Sequence, residues 1–164
     1  MRLFIVLLPF LFFLISCEEG TNCDASINAV KIKFKKELLK NTKDTTITGF
    51  GARGIYPEIK DSILYNNDDK FLTTTLPLSK NSDTSVYEFY FYHPKDTILN
   101  TTFKIDTVFF VYSRKVELVS SDCGFVIRFD LKSVLLKSNR VIKGITLKKP
   151  VIDNLTDPNV EVIL

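Results

Sequence analysis

Asn28 to Lys36 reads N-A-V-K-I-K-F-K-K, and this alternation limits the fold more than any other stretch of the chain. Val30, Ile32 and Phe34 fall on one side of an extended backbone and Lys31, Lys33 and Lys35 on the other, the period of two that a half-buried strand requires. A helix would set Ile32 opposite Val30 and break the apolar face. The lysines read as a solvated face, or as an edge strand charged against aggregation, rather than as a lipid-binding patch. The same texture returns in S-V-Y-E-F-Y-F-Y-H (85–93), D-T-V-F-F-V-Y-S-R-K-V-E-L-V (106–119) and C-G-F-V-I-R-F-D-L (123–131). It continues at Val134–Leu136 and Val141–Leu147 and closes in N-V-E-V-I-L. Fourteen Phe and six Tyr with no Trp suit pleated, half-buried surfaces. No stretch from Asp24 onward sustains a helical period for three turns. About 7–9 short strands joined by polar turns predict an all-β chain, an antiparallel β-sandwich of immunoglobulin- or transthyretin-like type.

Turn chemistry refines this reading. S-I-L-Y-N-N-D-D-K-F-L-T-T-T-L-P-L predicts a hairpin turning at Asn66-Asn67-Asp68-Asp69, because Asn and Asp tolerate left-handed backbone. The spacing and terminal glutamate of a calcium loop are missing there. Gly49, Gly51 and Gly54 lack a following G-K-[ST], so they read as strand, bulge or turn rather than as a phosphate loop.

The start of the chain carries an address. Leu3 to Ile15 is apolar throughout and follows Arg2. It is too short for a membrane span, which needs ~20 residues, and fits the core of a secretory leader. The junction Leu14-Ile15-Ser16-Cys17 resembles the lipobox of bacterial lipoproteins. That resemblance implies a signal peptide at residues 1–16, acylation of Cys17, a lipidated tether at 17–26 and a β-sandwich domain at 27–164. Two or more acyl chains anchor a protein stably where one does not. Glu18-Glu19-Gly20 resembles the export tag of surface-displayed lipoproteins in Bacteroidota-type bacteria. It implies an outer-membrane protein, with the cell surface favoured over the periplasmic face.

With Cys17 assigned to lipid, Cys23 and Cys123 remain, and two leftover cysteines in an oxidising compartment pair. Closing a loop of that length adds roughly 4–5 kcal/mol in the chain-entropy model. No C-x-x-C is present and His93 is the single histidine, so no metal site and no cofactor is expected. The leader ending in Ser-Cys, a second cysteine ahead of V-x-I-x-F, the run Y-S-R-K-V-E-L-V-S-S-D-C-G-F and the closing strand resemble a family of short Bacteroidota lipoproteins of unknown function. The resemblance implies lipidation and the Cys23–Cys123 pair, and brings no catalytic residues. Gly124, directly after Cys123, is expected to let a strand approach the disulfide closely.

For function, these residues supply little chemistry. His93 precedes Pro94 in an expected turn, and no G-x-S-x-G exists. A net charge of +3, scattered along the chain, does not point to nucleic acid. The expectation is a monomeric, non-enzymatic binding or structural module held at a membrane, meeting an envelope protein or a glycan. One alternative is a carbohydrate-binding accessory, with Tyr87, Phe89, Tyr90, Phe91 and Tyr92 as a stacking platform. Against it stands a central strand packed on both faces. A carboxylate-pair hydrolase is the other alternative. Thr45, Ser62 and Thr97 follow aspartates in triplets that resemble O-glycosylation acceptors of such bacteria.

Overall fold

The computed structural model describes residues 28–39, 41–47, 49–55, 64–66, 70–91, 104–153 and 156–164. These hold eleven strands and no helix: β1 (Ala29–Glu37), β2 (Thr42–Asp44), β3 (Phe50–Gly54), β4 (Leu64–Asn66), β5 (Thr73–Pro77), β6 (Thr84–Phe91), β7 (Lys104–Ser120), β8 (Gly124–Leu136), β9 (Gly144–Leu147), β10 (Val151–Ile152) and β11 (Val160–Ile163). The chain is all-β. Its strands form two sheets, one running β2-β1-β11-β9 with β5 also paired to β1, the other running β10-β8-β7-β6-β3-β4.

The inward faces share one core. Val30, Ile32 and Phe34 of β1 are fully buried, as their alternation requires. Phe34 meets Phe50 of the opposite sheet edge-on at 5.0 Å between ring centroids, and Phe50 continues to Phe89 at 5.3 Å. Further along, Tyr87 meets Phe110 at 6.1 Å and Tyr112 meets Phe129 at 5.5 Å. Phe34–Phe50 crosses between the sheets and the other pairs lie within one; each fully buried large apolar side chain contributes about 1.5–3 kcal/mol to the shared core.

Strand β1 is not an edge. It has β11 on one side and β5 and β2 on the other, so its lysines are tied down rather than simply solvated. Lys33 pairs with Asp44, Lys35 with Glu161 at 2.8 Å, and Lys31 Nζ donates to the Thr156 carbonyl at 2.8 Å. The hydrogen bond to Glu161 holds the Lys35 ammonium above its usual pKa, against a burial that pulls the other way.

Three sequence expectations change. The sheets are not purely antiparallel, because β1 runs parallel to β11 with Ile32 opposite Val160 and Phe34 opposite Val162. No turn joins the first and last strands, so nothing local imposes an antiparallel pairing on them. The hairpin expected around residues 62–78 does not form: β4 pairs with β3 in one sheet, and β5 pairs with β1 in the other. Asn and Asp mark a reversal but not which edge the next strand joins; residues 67–69 themselves lie outside the described residues. The strand count exceeds the expected seven to nine because β2, β4 and β10 are only two or three residues long.

Candidate functional site

Strands β7 and β8 outrun every neighbour. The pairing of β6 with β7 stops at Thr84 opposite Val111, and that of β10 with β8 stops at Ile152 opposite Phe129. Beyond Arg114 and Phe129 the two long strands continue only against each other, from Lys115 opposite Arg128 to Ser120 opposite Gly124. They form a two-stranded ribbon projecting from the body. Arg114 marks its base, where it donates to Asp83 Oδ1 at 2.7 Å and to the Lys80 carbonyl.

Residues opposite each other in an antiparallel ladder share a face. Val116 lies opposite Ile127 and Leu118 opposite Phe125. The four fall on the side of the ladder that carries Tyr112, Phe129 and Leu131 into the core. In the ribbon that side is open: Val116 is 64% exposed, Leu118 57% and Phe125 73%. Lys115, Glu117 and Arg128 occupy the other side, together with Val126 opposite Glu117, and Arg128 Nε lies 3.4 Å from Glu117 Oε2. The ribbon is therefore amphipathic.

Its turn is Ser121-Asp122-Cys123. Ser120 Oγ accepts the Cys123 N–H at 3.0 Å, and Gly124 follows with φ of 69°. A Cβ at Gly124 would meet nothing within 4 Å. The expected close approach is thus replaced by another cause: the backbone here is left-handed, which glycine adopts at no steric cost. A register shift between Leu118 and Ser120 completes the turn.

The aromatic row divides between two faces. Tyr87 and Phe89 are fully buried in the core, and Phe91 packs partly against it. Tyr87 donates to the Pro77 carbonyl, and its burial, with Tyr112 nearby, pushes its hydroxyl pKa well up. Tyr87 and Phe89 cannot offer a stacking platform, because they are enclosed in the core. Tyr90 points outward. It donates to Glu88 Oε2 at 2.6 Å, the same oxygen that Arg53 reaches at 2.7 Å, and the guanidinium lies 5.8 Å from the Tyr90 ring centroid. The Tyr90 hydroxyl, with Arg53 beside it, holds Glu88 below the usual carboxylate range. This trio is internally satisfied. Tyr92 lies outside the described residues.

Two buried polar groups escaped the sequence reading. Asp106 is fully buried, yet its carboxylate accepts the N–H groups of Arg140, Val141 and Ile142 at 2.7–2.8 Å. It latches the loop before β9 and is saturated. Ser79, Ser85 and Tyr112 form a second network, with Ser85 Oγ and the Tyr112 hydroxyl 2.7 Å apart and that hydroxyl donating to the Ser79 carbonyl at 3.0 Å. A charged residue inside an apolar run, like Asp106 before T-V-F-F-V, is the only sequence signal such a latch leaves. Among the described residues no group of three or more His, Cys, Asp and Glu is gathered as a metal site. A shallow cleft of about 410 Å³ lies between β1 and β2, lined by Glu37, Leu38, Leu39, Asn41 and Thr42.

Of the other sequence-singled residues, Thr45 is half-exposed just after β2 and its Oγ1 contacts the Thr46 carbonyl at 3.4 Å. Cys17, Cys23, Ser62, His93 and Thr97 lie outside the described residues. No described helix is long and apolar enough to cross a membrane. The open apolar side of the ribbon was missed altogether. Its signal was present in the length of the alternating run from Asp106 to Val119, longer than any other in the chain.

Residues 44–164 match the model of a family of unknown function, DUF6452. No curated protein and no solved structure matches the chain.

Proposed function

Because the chain belongs to the DUF6452 family, whose function is unknown, no activity comes to it by descent, and we propose that it is a lipid-anchored envelope lipoprotein acting as a non-enzymatic binding or structural module. In this reading Cys17 carries the lipid and Cys23 is bonded to Cys123. The address is an outer membrane, with the cell surface favoured over the periplasmic face. An immunoglobulin- or transthyretin-like sandwich is the finer architecture that goes with it, supported by two sheets around one core.

The observation that carries the proposal is the amphipathic ribbon. A body that buries its aromatic residues thoroughly leaves Val116, Leu118 and Phe125 open on one projecting element. Contiguous exposed apolar side chains rimmed by charge mark interaction surfaces. Binding to something larger than a small substrate is what such a shape serves.

The end of the molecule at which the described chain begins supports the cysteine pairing. The Asn28 carbonyl accepts from Leu78 N–H at 2.6 Å, and the neighbouring Ser79 carbonyl accepts from Tyr112, which stands just before the ribbon. Cys23 and Asn28 are five positions apart. Extended, that stretch spans about 17 Å, comparable to the ribbon itself.

Cys17→Ala tests the anchor. The expected outcome is loss of fatty-acid labelling and release of the protein from the membrane fraction, or its retention as an unprocessed precursor. A labelled mutant would refute lipidation at Cys17. Thr45, Ser62 and Thr97 are proposed as glycan acceptors, and the intact mass of protein from its own host checks them against the calculated lipoprotein mass.

A further inference from the structure

If Cys23 is bonded to Cys123 as proposed above, the anchor is tethered to the ribbon, and this bears on what the ribbon faces. Cys123 sits in the ribbon turn, with Phe125 two residues beyond and Leu118 five before. Cys17 and Cys23 are six positions apart. Fully extended, that stretch reaches roughly 20 Å. If Cys23 is bonded to Cys123, the ribbon turn is held within that distance of the acyl chains. A protein partner would have to be recruited to this spot, whereas the bilayer is brought there covalently.

The side chains fit such a surface. Val116, Leu118, Phe125 and Ile127 form one face of the ladder, while Lys115 and Arg128 lie opposite each other on the other. Amphipathic elements of this kind lie in the plane of the interface, the apolar face at the boundary of headgroups and acyl chains. Long basic side chains keep their heads among polar groups while their stems cover apolar surface. Aromatic rings are favoured at the same depth. Glu117, 3.4 Å from Arg128, offsets part of the charge, so the apolar face rather than attraction to anionic lipid provides the contact.

We infer that the apolar face of the β7–β8 ribbon rests in the lipid interface beside the anchor, seating the body on the membrane in one orientation. The inference rests on the lipidation and cysteine pairing proposed above.

The absence of tryptophan from the chain supplies the test. Phe125→Trp places a single emitter on the ribbon. Leu39→Trp places one on the exposed turn after β1, whose other end, at Lys31, is the one tied through Asn159 to Val151 beside the ribbon base. Each variant is purified as the mature protein and mixed with vesicles of phosphatidylethanolamine and phosphatidylglycerol carrying brominated acyl chains. The expected result is a blue shift and loss of most emission for Phe125→Trp, with Leu39→Trp unchanged. Water-like, unquenched emission from Phe125→Trp in protein that floats with the vesicles overturns the inference and points to a protein partner instead. Intact mass separates the two ideas. Acylated protein with an unquenched ribbon sinks only the inference, and unacylated protein with a quenched ribbon sinks the proposed anchor and the placement of the ribbon beside it, leaving the lipid contact alone supported. Unacylated protein that neither floats nor quenches sinks both.

Discussion

Strand β7 passes through two environments without changing its pattern. From Asp106 to Tyr112 every second residue is buried against the opposite sheet. Past Arg114, which takes one place on that face, the alternation resumes at Val116 and Leu118, but the side that should be covered is open. The alternation sets which residues share a face; whether a face is buried depends on the reach of the partner sheet. β6 and β10 stop at Val111 and Phe129, and the core stops with them. Two stretches of one strand thus lie in different surroundings, covered in the body and open in the ribbon.

The sharpest way to break this contrast is to remove one ring from each half. Phe110 is fully buried against Tyr87, so Phe110→Ala should cost about 3–5 kcal/mol in lost burial and cavity formation. Phe125 is largely exposed, and Phe125→Ala should change stability by no more than about 0.5 kcal/mol. Urea unfolding of the purified proteins measures both. Equal losses would mean that the ribbon is covered in solution and that its open face is not a surface.

Next in size is the cysteine in the ribbon turn. If it is bonded as proposed, Cys123→Ser should lower stability by about 2–5 kcal/mol, as loss of a native disulfide does. The unmutated protein, unfolded without reductant, should then give no reaction in thiol titration beyond any free Cys17. A reactive Cys123 would detach the ribbon from the chain's start and remove the premise for its place near a membrane.

How much of this was legible in the sequence divides along the same line. Val30, Ile32 and Phe34 announced a buried strand face because alternation alone determines it. The parallel pairing of β1 with β11 was not legible, since it depends on strands far apart in the chain that no turn connects. Nor was the separation of β4 from β5 into different sheets. Of the candidate site, the S-D-C-G turn could be read from its residues, but its use of Gly124 for a left-handed backbone needed the backbone itself. The aromatic row from Tyr87 to Phe91 reads more readily as a packed central strand than as a platform, but alternation cannot say which face another sheet covers. Asp106 looked like any strand charge until three backbone donors converged on it.

That latch gives a smaller effect within the body. In Asp106→Asn an amide nitrogen replaces one carboxylate oxygen and meets a backbone N–H donor to donor. Leaving one buried donor unsatisfied costs about 1–3 kcal/mol. The destabilisation should come with faster amide exchange at Arg140, Val141 and Ile142, the three donors, and not along the ribbon. Uniformly faster exchange would mean that Asp106 supports the whole core rather than one loop.

The smallest effect concerns the body's own open face, which is polar where the ribbon's is apolar. On the outer side of β3 and β6, Glu88 accepts from Tyr90 and Arg53. The Tyr90 hydrogen bond, and after it Arg53, lowers the Glu88 pKa, while partial burial opposes them. A carboxylate whose folded pKa is depressed binds fewer protons folded than unfolded between the two values. Its contribution is therefore complete above the unfolded pKa, about 4.3, and is lost as pH falls through the folded value. The group is well solvated, so screening holds its worth to that of a surface pair, at most about 1 kcal/mol. Glu88→Gln should lower the melting temperature slightly at neutral pH. As pH falls through the depressed folded value the variant should converge with the parent, because protonation then removes the same interaction. The comparison of thermal unfolding for the two proteins across that range is the measurement. A gap that widened on acidification would have the wrong sign for a depressed carboxylate, and Glu88 would then be strained on its open face rather than held there by Tyr90 and Arg53.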